Sequence, residues 1–170
     1  MRTIFTDGSS IANGKSNCVS GCGVYFAEED ISISLSCKKA SEYCNIPIQI
    51  ESNNVGELMG ILVALTIAKE KDVEQTTVIY SDSMYCINSV TNWWKNWEKN
   101  DWNTSNGTPV KNKEIIQRII KEISHFQDLT FKHVKGHKKE PQETDTEEFF
   151  LWNGNNKADR LAFFSIRDNL

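Results

Sequence analysis

Four acidic residues stand where a carboxylate could do chemistry: Asp7 in Thr6-Asp7-Gly8, Glu57 three residues after Asn54, Asp82 between Ser81 and Ser83, and Asp159 near the end of the chain. Each also has a local explanation. Asp7-Gly8 suits a turn, Asn54-x-x-Glu57 has the form of a capping box, Asp82 could cap a helix beginning at Ser83, and Asp159 could complement a helix dipole. Taken jointly they are harder to dismiss, because the elements read below bring all four to one rim. Two fall at strand ends and two in the first turns of helices packed beside that sheet. Carboxylates gathered in this way repel one another unless some hold protons or divalent cations neutralise them. Oxygen-only ligands select a hard ion, Mg²⁺ or Mn²⁺, and two such ions balance four negative charges.

The elements that must position these acids follow from hydrophobic periodicity. Residues 3–7 read as a short strand and 21–27 as a second, reversed at Glu28, Glu29 and Asp30. Ile31, Ile33, Leu35 and Cys37 alternate with serines, the period of a half-buried third strand. After an irregular stretch through Pro47, Leu58, Ile61, Leu62, Leu65 and Ala68 recur at helical spacing. Thr77 to Tyr80 suits a central strand, and a helical segment follows from Ser83 through the tryptophans until Asn103 to Pro109 breaks it. Ile115, Ile116, Ile119, Ile120 and Ile123 mark another helix. A strand from Leu129 to Val134, a polar acidic loop from Lys138 to Asp145, and a final helix from about Asn156 to Asp168 complete the chain. The pattern predicts an α/β fold, a mixed sheet with helices on its faces and ligands at the carboxyl ends of the strands.

A chain of 170 residues with 39% hydrophobic and 25% charged residues suits a single domain, here 1–170, and excludes disordered, fibrous and membrane classes. Its longest aliphatic stretch, Ile61 to Leu65, cannot span a bilayer, and Ile4 and Phe5 follow Met1 and Arg2 without a signal core, so an intracellular, cytoplasmic or nuclear protein is expected. Five cysteines, an odd number with no Cys-x-x-Cys, read as reduced core fillers. Joining Cys18 and Cys22 with His133 and His137 into a zinc set is disfavoured by the long separation of the pairs. The net charge of -4 looks unsuited to a phosphate backbone, but Lys111 to Lys139 holds eight bases against three acids, and Glu140 to Glu148 five acids and no base. Without the four singled-out carboxylates, 19 basic residues face 19 acidic ones.

Five segments, TDGSS at 6–10, SNNVGEL at 52–58, YSDS at 80–83, VKGH at 134–137 and NNKADRLA at 155–162, resemble in order the signatures of the type 1 ribonucleases H, which cut the RNA strand of RNA/DNA hybrids. The resemblance implies the RNase H-like fold, a five-stranded mixed sheet with helices on both faces. It also implies Asp7, Glu57, Asp82 and Asp159 as ligands of two Mg²⁺ ions, with Mn²⁺ as a substitute, and His137 as a mobile auxiliary histidine. The reaction implied is two-metal hydrolysis leaving 5′-phosphate and 3′-hydroxyl ends. Ser10, Asn13, Asn53, Asn54 and Met84 match positions that meet the RNA strand, where polar groups can read 2′-hydroxyls. Tyr85, Trp97, Ser105 and Asn112 match the DNA-strand channel and its phosphate pocket, and Ser52 offers a hydroxyl where the family commonly has Thr. Core packing competes for Trp93, Trp94, Trp97 and Trp102, while His125 and His133 have no counterpart and read as surface or packing residues.

The chain also departs from the pattern. Glu98, Asn100, Asp101 and Asn103 dilute the charge of a segment that is often basic in the family, which predicts weaker hybrid binding, and Val55 stands where Arg is frequent. An acidic insertion lengthens the stretch between His137 and Asp159, and its Phe149, Phe150, Leu151 and Trp152 are expected to pack on the body while the acids stay in solvent. A first strand at Thr3 leaves no room for an N-terminal hybrid-binding module, so processivity would need a partner, although no protein partner is implied and a monomer is expected. Two alternatives remain: a weakly active or inactive hybrid-binding module, and another metal-dependent nuclease on the same scaffold.

Overall fold

The computed structural model describes residues 1–167. Its sheet runs in the order β3-β2-β1-β4-β5, with β1 (Arg2–Ile11), β2 (Val19–Phe26), β3 (Ile31–Ser36), β4 (Thr77–Ser81) and β5 (Leu129–His133). The first three strands form an antiparallel meander, and β4 and β5 add in parallel to β1. Alternation along β1 divides the core. Ile4 joins Val24, Phe26 and Ile79 under helix α2 (Asn53–Lys71), whereas Phe5 and Tyr25 face α6 (Glu147–Phe164) and meet Ala158. Helices therefore cover both faces, α6 on one side, with α1 (Cys37–Cys44), α2 and α5 (Lys113–Ile123) on the other. No described helix is long and apolar enough to cross a membrane.

The expected elements are present, with three corrections. Cys37 does not end the third strand: Ser36 accepts a hydrogen bond from the Lys39 amide and starts α1, which buries Cys37, Ala40 and Cys44 at helical spacing in a stretch read as irregular. The segment after Ser83 is a broken helix, α3 (Met84–Asn88), a π turn at Ser89–Trp93, and α4 (Trp94–Lys99). The largest difference is the last helix. It begins at Glu147, nine residues earlier than expected, because Thr146 Oγ1 accepts from the Phe149 amide and Glu147 and Glu148 complement the dipole in the first turn. Asp159 therefore sits deep within α6 and not in its first turn. The anticipated extension to Asp168 lies outside the described residues.

All five cysteines are buried free thiols, as expected of core fillers. The Cys/His zinc set does not assemble among the described residues. One buried charge fastens two helices together. Glu122 on α5, 3% exposed, meets Lys69 Nζ of α2 at 2.6 Å and Arg118 Nε at 3.1 Å. Burial alone would raise its pKa, but hydrogen bonds from Lys69 and Arg118 outweigh this and hold it below the ordinary carboxylate range. Its contribution is present above the unfolded pKa and is lost as pH falls through the lower folded value. Glu122→Gln is expected to cost about 1–3 kcal/mol near neutral pH, since Lys69 can still reach water. Urea titrations of both proteins should show the gap closing in acid, and a gap independent of pH would refute the ion-pair account.

Candidate active site

Strand register brings the first two carboxylates together. Thr6 of β1 pairs with Ser81 of β4 in a parallel ladder, so the next residues, Asp7 and Asp82, stand side by side where β4 ends. The third comes from α2. Ser52 caps this helix, its hydroxyl accepting from the Val55 amide at 3.1 Å, and Glu57 follows in the second turn facing β1. Oxygens of Asp7, Glu57 and Asp82 lie within 4.8 Å of one another. With Asp159, they line a cleft of about 540 Å³ together with Gly8, Ser9, Ser10, Asn53, Ser83, His137 and Phe163.

None of the local explanations accounts for these acids. Asp7 lies inside a strand and not in a turn, with Oδ1 accepting from the Gly8 amide at 2.8 Å. Ser52 and not Asn54 caps α2, and Ser83 and not Asp82 caps α3. Asp7 is 3% exposed and Glu57 6%, yet the buried Glu57 Oε2 has no hydrogen-bond partner. Burial first, then the charge of Glu57, pushes the Asp7 carboxyl upward; burial also raises Glu57, against a hydrogen bond with Asp7 that lowers it, and Asp82 is raised by burial and by Asp159. A buried oxygen without a partner, in an all-oxygen donor set that repels itself, fits a hard divalent cation.

The expected substrate residues fall into two groups. Ser10 and Asn53 line the cleft, and Asn13 supports it through Oδ1, which accepts from the Asn53 amide at 3.0 Å. Asn54 and Met84 are exposed, whereas the Ser52 hydroxyl is engaged in its cap. Tyr85, Trp97, Ser105 and Asn112 do not line the cleft. Asn112 Nδ2 donates to the Tyr85 hydroxyl at 3.2 Å, and an aromatic series runs from Tyr85 through Trp93 and Trp97 to Trp102 with centroids about 6 Å apart. Trp102 is core, Trp94 and Trp97 are half-buried, and Trp93 is exposed, so packing explains only part of the cluster. Ser105 is exposed, in the loop after α4. Val55 is buried in the core and cannot make a backbone contact. His125 is an exposed surface residue, and His133 sits 3.3 Å from the Asp82 carbonyl.

The structure adds Phe163 and Arg167, which the sequence reading missed. Phe163 is 46% exposed at the cleft, and four residues after Asp159 it shares that helix face, a spacing that could have revealed it. The Arg167 guanidinium lies 3.9 Å from the centre of its ring and donates to Ser9 Oγ at 3.1 Å. Only packing of the helix end against β1 makes this visible.

A mixed sheet of this order, with one carboxylate inside β1, one just past the end of the adjacent parallel β4 and two on the helices flanking them, defines the RNase H-like class. The chain belongs to the RNase H family, whose model matches residues 1–166. It is 35% identical over 164 residues to ribonuclease H of Schizosaccharomyces pombe, covering 95% of this chain and 51% of that one. It is 34% identical over 163 residues to ribonuclease H of Clostridium botulinum (strain Hall), covering 94% and 91%. The chain thus spans about half the length of the yeast relative and nearly all of the bacterial one. Solved structures of similar fold include LC11-RNase H1 in complex with an RNA/DNA hybrid, with a TM-score of 0.63, 18% identity and 99% of each chain covered. The solution structure of the PFV RNase H domain has a TM-score of 0.67 and 21% identity, covering 96% of this chain and 93% of that one.

Proposed function

We propose that this chain is an endoribonuclease that cuts the RNA strand of RNA/DNA hybrids and leaves 5′-phosphate and 3′-hydroxyl ends. The observation that carries this reading is the buried Asp7, Glu57 and Asp82 cluster, with its unpartnered Glu57 oxygen, in a chain of the RNase H family. Asp7, Glu57, Asp82 and Asp159 would hold two Mg²⁺ ions, which supply an ionised water and neutralise charge on the leaving oxygen. The chain's own residues do the remainder. Asp7 and Asp82, fixed by the parallel register, set the floor of the cleft, and Glu57 closes it from α2. Ser10 and Asn53, beside them, are suited to reading 2′-hydroxyls. His137 stands at the mouth, where an imidazole can exchange a proton with the departing strand. Tyr85, Trp97, Ser105 and Asn112 offer the DNA strand an aromatic and polar surface apart from the carboxylates.

Residues 1–170 act in this reading as one catalytic domain, monomeric and intracellular. The decisive experiment offers a labelled hybrid, the matching RNA duplex and the matching DNA duplex, with Mg²⁺ or with EDTA. Cutting of the hybrid alone, abolished by the chelator, is expected. Binding without cutting would replace the proposal with a hybrid-binding module, and cutting of duplex DNA with a different nuclease. Arg167 places a cation beside Ser9 and Ser10, where the RNA strand would pass. Arg167→Ala is expected to weaken hybrid binding about three- to tenfold and lower the salt slope by about one phosphate contact. An unchanged slope would remove Arg167 from the interface.

A further inference from the structure

The segment carrying His137 is anchored by a residue outside the five family-like motifs. Residues 134–146 connect β5 to α6 without helix or strand, and His137 has a φ of +57°, a left-handed backbone uncommon outside glycine. Such a shape persists only where its flanks are fixed. On one flank Gly136 lies against Asp82, so closely that a Cβ there would stand 2.6 Å from Asp82 Oδ2. On the other flank the indole Nε1–H of Trp152 donates to the Lys138 carbonyl at 3.0 Å. Trp152 belongs to the aromatic start of α6 and packs on Phe149, with ring centroids 5.7 Å apart. It precedes Asp159 by seven residues, two helical turns, so one face of α6 both delivers Asp159 to the cleft and grips this segment.

We propose that Trp152 is a positioning residue: through the Lys138 carbonyl it holds His137 at the mouth of the carboxylate cleft. The inference rests on the hybrid-cleaving reading, since His137 has a task only where a strand is cut and released. Tryptophan suits the role because its ring is rigid and its single N–H has no acceptor function to misdirect it. The anchor sets the rate at which His137 meets its substrate and leaves the grip on the hybrid unchanged.

Trp152→Phe deletes the donor and keeps the ring that packs on Phe149. With wild-type protein, Trp152→Phe, His137→Ala and the double variant, kcat and KM on a hybrid are measured in Mg²⁺, and backbone ¹⁵N relaxation is followed without substrate. In the wild-type background kcat should fall about fivefold, the scale of one net hydrogen bond, with KM moving less than about twofold. In the His137→Ala background the same change should have no further effect. Backbone ¹⁵N order parameters of residues 137–140 should fall to about 0.6 or below while those of 155–162 stay at about 0.85. An equal loss of kcat in both backgrounds, a loss seen in KM alone, or unchanged order parameters at 137–140 would each overturn the proposal. If the wild-type protein fails to cut the hybrid, the functional reading falls, and the relaxation measurement alone still decides whether Trp152 anchors the segment.

Discussion

Replacing Asp7 with Asn is expected to lower hybrid cleavage by roughly 10³-fold or more while making the metal-free protein more stable. The two effects have one cause. Asp7 and Glu57 are both nearly inaccessible to water, and this burial, with the charge of Glu57 acting on Asp7 and that of Asp82 acting on both, pushes their carboxyls upward in the folded chain. In the unfolded chain they titrate near 4. The folded metal-free protein therefore holds protons that the unfolded chain has released, and its stability declines as pH rises above that value. An amide of nearly the same shape has no proton to lose on unfolding and so removes Asp7's share of this decline. In EDTA at neutral pH, Asp7→Asn should gain about 1–3 kcal/mol, one or two pKa units of relieved repulsion. Added Mg²⁺ should reverse the order, stabilising wild type increasingly with pH and the variant far less. Thermal unfolding in EDTA and in Mg²⁺ across pH 5–9 would measure this. A variant less stable than wild type in EDTA at every pH would mean that the acids are not strained by mutual repulsion.

The second large effect is expected at Gly8, and it tests the geometry and not the charge. Gly8 sits beside Asp7 in β1, and a methyl group added there would stand 2.6 Å from the carbonyl carbon of Gly56 and 2.9 Å from Glu57 Cα. These are backbone atoms, which cannot swing aside as the end of a flexible side chain would. Helix α2 would have to withdraw from the strand, and it carries Leu58, Ile61, Leu62 and Leu65, all fully buried. Gly8→Ala should cost about 2–4 kcal/mol in urea unfolding. Cleavage should fall further than the folded fraction accounts for, because the same withdrawal carries Glu57 away from Asp7, and part of the loss should be recovered at higher Mg²⁺. A Gly8→Ala protein with wild-type stability and metal dependence would show that the close approach of β1 and α2 does not hold the site together.

Much of this was legible beforehand because periodicity and local chemistry report directly on burial. The alternation of Ile31, Ile33 and Leu35, the helical spacing of Leu58 to Ala68 and the isoleucines of α5 each mark an apolar face that a neighbouring element must cover. The acids were legible through the motifs around them, and three of the four sit together at 4.8 Å or less. The start of α6 was misread because Glu140 to Glu148 looks uniformly like solvated loop, although Thr146 caps a helix and the last two acids belong to its first turn. Charge excess alone does not distinguish a loop from a helix N-terminus, since both favour acids.

The sequence by itself determined which residues bury themselves, which acids stand beside turns and caps, and to which family the five motifs point. Only the tertiary structure decided that Thr6 pairs with Ser81, so that Asp7 meets Asp82, and that Gly8 lets Glu57 approach. It alone showed that Trp152 reaches the Lys138 carbonyl and that Arg167 reaches Ser9. The physical reason is range. Burial and capping depend on neighbours a few residues away, whereas strand register and contacts between residues 14 to 158 positions apart depend on how the whole chain packs.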